Sequence, residues 1–294
     1  MTRTRTPIAV ALAAAVTLAA HPGIASATPD VGTAVGSVEL AGVPGAIRFG
    51  DGHAIPLKGA RPSWFTPRLE QRVLEARRKP VAAPAQAPLP GTIGIRPGSW
   101  MISPAGCTMN FIFRKSTSLA IGTAGHCVDK AGQPVTLITL APGTENPVLV
   151  NVGSVITKRD NGIGDDFALV SIRPALHSWV DPTIALVAGP CGAYSGSGPE
   201  TVAHYGHGLG IGTGGTPRAG VALTWRADAY GWDGAAIFGD SGSPVRVTRL
   251  KAAGNLTHLV VDTRWLPSFI AGTRIGKMLQ IASGWSLANS SLCV

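Results

Sequence analysis

Three short stretches of the chain set a nucleophile, a base and an acid among small residues. They are Ile121-Gly122-Thr123-Ala124-Gly125-His126-Cys127, Asp165-Asp166-Phe167-Ala168-Leu169-Val170 and Gly239-Asp240-Ser241-Gly242-Ser243-Pro244-Val245. A serine hydroxyl is too weakly acidic to attack an amide near neutral pH, so Ser241 needs a base at hydrogen-bond distance. An imidazole titrates in the right range to serve, which nominates His126. The imidazole in turn needs a carboxylate behind it, to fix its tautomer and steady the cation it becomes. Read singly, each stretch has a plainer meaning: a structural histidine beside a cysteine, a turn aspartate, a β-turn of the Gly-Asp-Ser-Gly type. The G-x-S-x-G elbow of α/β-hydrolases is not matched, because Ser243 stands where its last glycine belongs.

Taken together, in the order His, Asp, Ser, the stretches closely resemble the trypsin/chymotrypsin family of serine peptidases, in its secreted bacterial form. The resemblance spans residues 91–294. It implies catalytic roles for His126, Asp166 and Ser241, with Asp166 chosen over Asp165 because it abuts the apolar run 167–170, as the family's aspartate abuts its strand. Asp165 and Asp160 are then loop acids. The amides of Gly239 and Ser241 form the expected oxyanion hole, where one donor is typically worth about 10²–10³ in rate.

The resemblance also implies a Cys107–Cys127 disulfide, which leaves Cys191 and Cys293 as the second pair. It puts Ala235 at the base of the primary substrate pocket, with Ala236, Ile237 and Phe238 along one wall. An apolar, uncharged side chain is the expected guest, although Arg264 on the opposite wall would invite an acidic one. No new amino terminus of the animal-enzyme type precedes Cys107, so Asp240 needs an internal partner, for which Arg218 and Arg226 are candidates. The implied activity is endopeptidase cleavage through an acyl-enzyme. A catalytically silent secreted binding protein and an esterase using the same triad are the alternatives.

The elements that must carry these residues are short. Apolar, β-branched runs at 110–113, 135–140, 148–150, 167–172, 221–225 and 259–261 are bounded by Gly, Pro, Asn or Asp, which reads as an all-β domain. The family resemblance makes this two packed six-stranded antiparallel β-barrels, residues 91–188 and 189–294, with the site between them. Residues 275–283 are the one short helix expected near the C-terminus.

Residues 1–27 have the grammar of a secretory signal peptide: Arg3 and Arg5, an uncharged apolar run, then Ala25-Ser26-Ala27. Residues 28–90 read as a pro-region. Thr66 and Pro67 open a helix that Arg77-Arg78-Lys79 closes, and a Pro/Ala tract over 80–90 forms an extended linker. A secreted, extracellular, monomeric protein without a membrane segment after signal removal follows. Four cysteines fit an oxidising compartment, and none shows the paired spacing of a zinc site; no metal or cofactor is expected.

The formal charge of +9 is spread along the chain. No basic run interleaved with aromatics points to nucleic acid, so the expected partner is a protein or peptide substrate. His204 and His207 read as loop histidines. Gly210-Ile211-Gly212-Thr213-Gly214-Gly215 reads as a hairpin-type loop, lacking the βαβ unit a dinucleotide site needs. Asn255-Leu256-Thr257 is a glycosylation sequon if the source is a eukaryote.

Overall fold

The computed structural model describes residues 47–49, 52–58, 92–144, 146–208, 216–261 and 269–293. The expected signal peptide, the helix over 66–79, the linker, the 210–215 loop and Arg264 lie outside the described residues.

The described chain begins with a hairpin, β1 (Ile47–Phe49) and β2 (Gly52–Pro56). Seven strands follow: β3 (Trp100–Ser103), β4 (Cys107–Thr108), β5 (Ile112–Lys115), β6 (Ser118–Thr123), β7 (Pro134–Leu140), β8 (Pro147–Asp160) and β9 (Asp166–Ser171). Next come β10 (Glu200–Gly206), β11 (Thr216–Trp225), β12 (Ala229–Gly234), β13 (Pro244–Val247), β14 (Ala252–Asn255), β15 (His258–Val261) and β16 (Phe269–Thr273). Helix α1 (Ile275–Ile281) and β17 (Ser286–Leu287) end it.

Two curled antiparallel sheets result, the all-β architecture and short helix that the sequence leads one to expect. The strand counts are nine and eight. The first sheet runs β17-β5-β6-β9-β8-β7-β3-β4, and the second β1-β2-β15-β16-β12-β11-β10-β13-β14. Both exceed the six strands foreseen, and two of the second sheet's nine are β1–β2, from the segment read as a pro-region, which pairs along the edge of β15.

Strand β7 alternates as a half-buried strand must, with Val135, Leu137 and Thr139 inward. Strand β9 has no such alternation, and the packing explains why. Ala168 and Val170 face the core of the first sheet with Met101, Leu137 and Val152. Phe167 and Leu169 face a second core between the sheets with Phe111, Phe113, Tyr205, Ile275 and Met278. A strand with a core on both faces has to be apolar throughout. The second sheet wraps its own cluster around Tyr230, Trp232, Val245, Leu259 and Ile270.

Two disulfides join Cys107 to Cys127 and Cys191 to Cys293, closing sequence spans of 20 and 102 residues. The longer loop restricts the unfolded chain more: it is worth about 4–5 kcal/mol in the chain-entropy picture, against about 3 kcal/mol for the shorter. The double variant Cys191→Ser/Cys293→Ser should therefore lose about 2–5 kcal/mol of stability, read as a lower melting temperature by calorimetry.

Candidate active site

Asp166 is the first residue of β9 and is fully buried. Its Oδ1 accepts the His126 amide at 3.0 Å, and its Oδ2 lies 2.6 Å from His126 Nδ1. The backbone is held as firmly. Thr273 Oγ1 accepts the Asp166 N–H and donates to the Asp166 carbonyl, both at 3.0 Å, and Asn255 Nδ2 donates to that same carbonyl at 3.0 Å. Burial pushes the carboxyl upward, but the His126 ring and its hydrogen bonds outweigh that and hold it below its ordinary value. Asp165 is instead a loop acid, bonded to Asn161 at 2.6 Å and within 3.5 Å of Arg159 and 3.4 Å of Lys277.

His126 sits in a 3₁₀ turn, Gly125–Cys127, just past β6. The preceding glycine is required there, because a Cβ on Gly125 would lie 1.7 Å from the Arg159 carbonyl oxygen. His126 Nε2 is 2.7 Å from Ser241 Oγ. With Nδ1–H directed at Asp166, Nε2 is the acceptor for the serine hydroxyl. Thr257 O, 3.0 Å from Oγ, is the alternative acceptor.

The loop that carries Ser241 is shaped by the buried carboxylate of Asp240. Arg218 Nη1 pairs with Oδ2 at 2.5 Å, Ile237 N–H donates to Oδ2 at 2.9 Å, and Gly208 N–H donates to Oδ1 at 2.8 Å. Of the two candidate arginines the partner is thus Arg218; Arg226 is exposed. Burial raises the Asp240 carboxyl, and Arg218 more than reverses the effect.

Gly239 turns through a φ of +100°, open mainly to glycine. Its N–H and that of Ser241 converge on one oxygen, at 2.7 and 3.2 Å. That oxygen is the carbonyl of Leu57, from the chain's own N-terminal hairpin. Ala236 and Phe238 share a buried cluster with the Leu57 side chain, while Ala235 lies outside that cluster and accepts a hydrogen bond from His204 Nε2 at 2.9 Å.

Several residues at the site carry no motif. Thr108 ties the two sheets together there: its N–H donates to Ser241 O at 2.8 Å and its hydroxyl to Gly239 O at 2.9 Å. His258 packs edge-on to His126 at 5.5 Å and bonds Thr257 Oγ1 at 2.8 Å. Asn255, Leu256 and Thr257 are all fully buried, so the apparent sequon is structural. His204 lies in β10 and His207 just beyond it, both buried rather than in an open loop. Leu57 had a faint signal: Gly50-Asp51-Gly52 between two short apolar runs is a hairpin pattern.

Among the described residues, two groupings bring metal-ligand types together. One uses Cys107 and Cys127, whose sulfurs are spent in a disulfide; the other is His126, Asp166 and His258, tied up in the hydrogen bonds above. A separate cleft of about 530 Å³, lined by Ile163, Leu223, Tyr230, Trp232 and Phe269, contains none of these groups.

Two predictions follow from the buried charges. Removing Arg218 strands the Asp240 carboxylate, so Arg218→Leu should cost about 3–5 kcal/mol in denaturant unfolding. Burial lowers the His207 and His258 rings from 6.5 to about 4. Both stay neutral in the folded protein while the unfolded chain takes up protons near pH 6.5, so stability is lost as pH falls from about 6.5 to about 4. The melting temperature should drop across that window and stay level above it, with a shallower drop in His207→Gln.

No protein-family model matches the chain, and no curated protein matches it. Among solved structures, Thermobifida fusca protease A is similar at 20% identity over 67% of this chain and 98% of its own, with a TM-score of 0.45. A glutamic acid specific serine protease, described as using a histidine triad in substrate binding, is similar at 15% identity over 66% of this chain and 100% of its own, with a TM-score of 0.47.

Proposed function

We propose that the protein is a serine endopeptidase, exported and folded in an oxidising compartment. The observation that carries the reading is the unbroken line from Asp166 Oδ2 through the His126 ring to Ser241 Oγ, at 2.6 and 2.7 Å, ending beside two amides aimed at one carbonyl oxygen. His126 Nε2 takes the hydroxyl proton as Ser241 Oγ attacks the substrate carbonyl carbon. The Gly239 and Ser241 amides hold the negative oxygen that forms. The same proton then passes to the departing amine, leaving an acyl-serine that water hydrolyses by the reverse sequence.

Asp166 holds the ring in the tautomer that keeps Nε2 free. His258, neutral because burial lowers it to about 4, covers that carboxylate without adding a charge to compete with His126. The substrate is a polypeptide whose residue before the scissile bond is apolar, matching Ala236 and Phe238. The residues 1–90 expected to precede the domain act as signal and pro-region, and the catalytic part works as a monomer without cofactor.

The test is labelling by a fluorophosphonate probe together with casein hydrolysis. Both should vanish in Ser241→Ala. In Asp166→Asn, casein turnover should fall by about 10⁴, with the fold retained by circular dichroism. Labelling with ester turnover but no peptide turnover would assign an esterase instead. Failure of the fully processed protein to label would remove the enzymatic reading.

A further inference from the structure

We propose that residues 52–58 are a substrate carried by the chain itself, and that the Leu57–Lys58 peptide bond is the one this site cuts in its own polypeptide. The proposal rests on the peptidase reading above and names its first substrate.

Strand β2 lies antiparallel to β15 in register, with Val261 opposite His53, Val260 opposite Ala54, Leu259 opposite Ile55 and His258 opposite Pro56. This is how an extended peptide adds to an open sheet edge, with backbone bonds giving affinity and side-chain pockets giving selectivity. The ladder continues one residue further: the Leu57 N–H donates to Thr257 O at 3.2 Å. Pro56, with a fixed φ and no amide to satisfy, holds the chain extended just ahead of that bond.

The Leu57 side chain is fully buried with Ala236, Phe238, Leu256 and Leu259. Its carbonyl oxygen accepts from Gly239 N–H at 2.7 Å and Ser241 N–H at 3.2 Å. Past the carbonyl the chain emerges: Lys58 is exposed, and its Nζ donates to the His126 carbonyl at 3.1 Å. An apolar side chain is thus in the pocket, the carbonyl is in the hole, and the following residue lies on the His126 side, where a leaving amine needs its proton.

Both products are defined. Ser241 Oγ bonds to the Leu57 carbonyl carbon while its proton moves to His126 Nε2. The carbon–nitrogen bond to Lys58 breaks, and that nitrogen takes the proton, becoming a new amino terminus. Water then cleaves the ester, leaving a carboxylate on Leu57 and restoring the Ser241 hydroxyl. Until the cut is made, the segment blocks the site. The specificity that follows is for a leucine-sized apolar residue before the scissile bond.

The experiment uses the full chain, with intact mass and N-terminal sequencing. Wild type should yield a fragment beginning at Lys58, and Ser241→Ala should remain whole. Leu57→Asp puts a carboxylate against an apolar pocket, so cutting at this bond should slow by about a hundredfold or more. Fluorophosphonate labelling of the uncut species, resolved by mass, should be about tenfold faster in Leu57→Asp than in wild type, since the open fraction of the site rises.

Equal labelling of the two uncut species would overturn the occupancy. Faster labelling in Leu57→Asp without any cut at 57–58 in wild type would overturn the scission and leave Ser241 as a nucleophile. No labelling of any species, cut or uncut, would overturn both the inference and the peptidase reading.

Discussion

A buried carboxylate with nowhere to go shapes the site. Asp240 is removed from water, and it is tolerable there only while Arg218, the Ile237 amide and the Gly208 amide all face it. Meeting those three partners folds residues 237–242 into a tight turn, and the turn points the amides of Gly239 and Ser241 the same way. Thr108 then fastens the turn to the other sheet through Ser241 O and Gly239 O. The two amides, both on the Leu57 carbonyl oxygen, are held in that aim because relaxation of the turn would leave an ion unpaired in an apolar interior.

Asp166 repeats the arrangement on the other side of the site. Its side chain is committed to His126, and its backbone to Thr273 and Asn255 from the second sheet. Two buried acids, one under the serine and one behind the histidine, thus fix the facing halves of the site. Each is held by several partners from separate parts of the chain.

That His126, Asp166 and Ser241 come together was legible in the sequence because their neighbours are constrained as well: glycine where a side chain would collide, aspartate where a turn needs an anchor. The strands were legible from their apolar runs, and β9 most of all, since both its faces pack. What the sequence hid is whatever depends on a partner far along the chain. Asn255 reads as a surface sequon until its amide is seen on the Asp166 carbonyl. His207 reads as a loop residue until Trp100, 107 positions earlier in the chain, stacks on it at 5.9 Å. The β1–β2 hairpin sits in the stretch read as a pro-region, and a strand that completes another sheet's edge needs no core of its own to announce it.

The two ends of the described chain are exchanged between the sheets. The hairpin at 47–56 finishes the edge of the second sheet, whereas β17 at 286–287 finishes the first, beside β5. Helix α1 seals the core between them, and Cys293 is bonded back to Cys191. Among the described residues no contiguous half therefore contains a complete sheet, and the contacts that close both are distant in sequence. Such long-range closure is slow to find. Neither sheet can close until residues near the two ends of the described chain have met, so a chain folded over its first half alone lacks an edge strand of each.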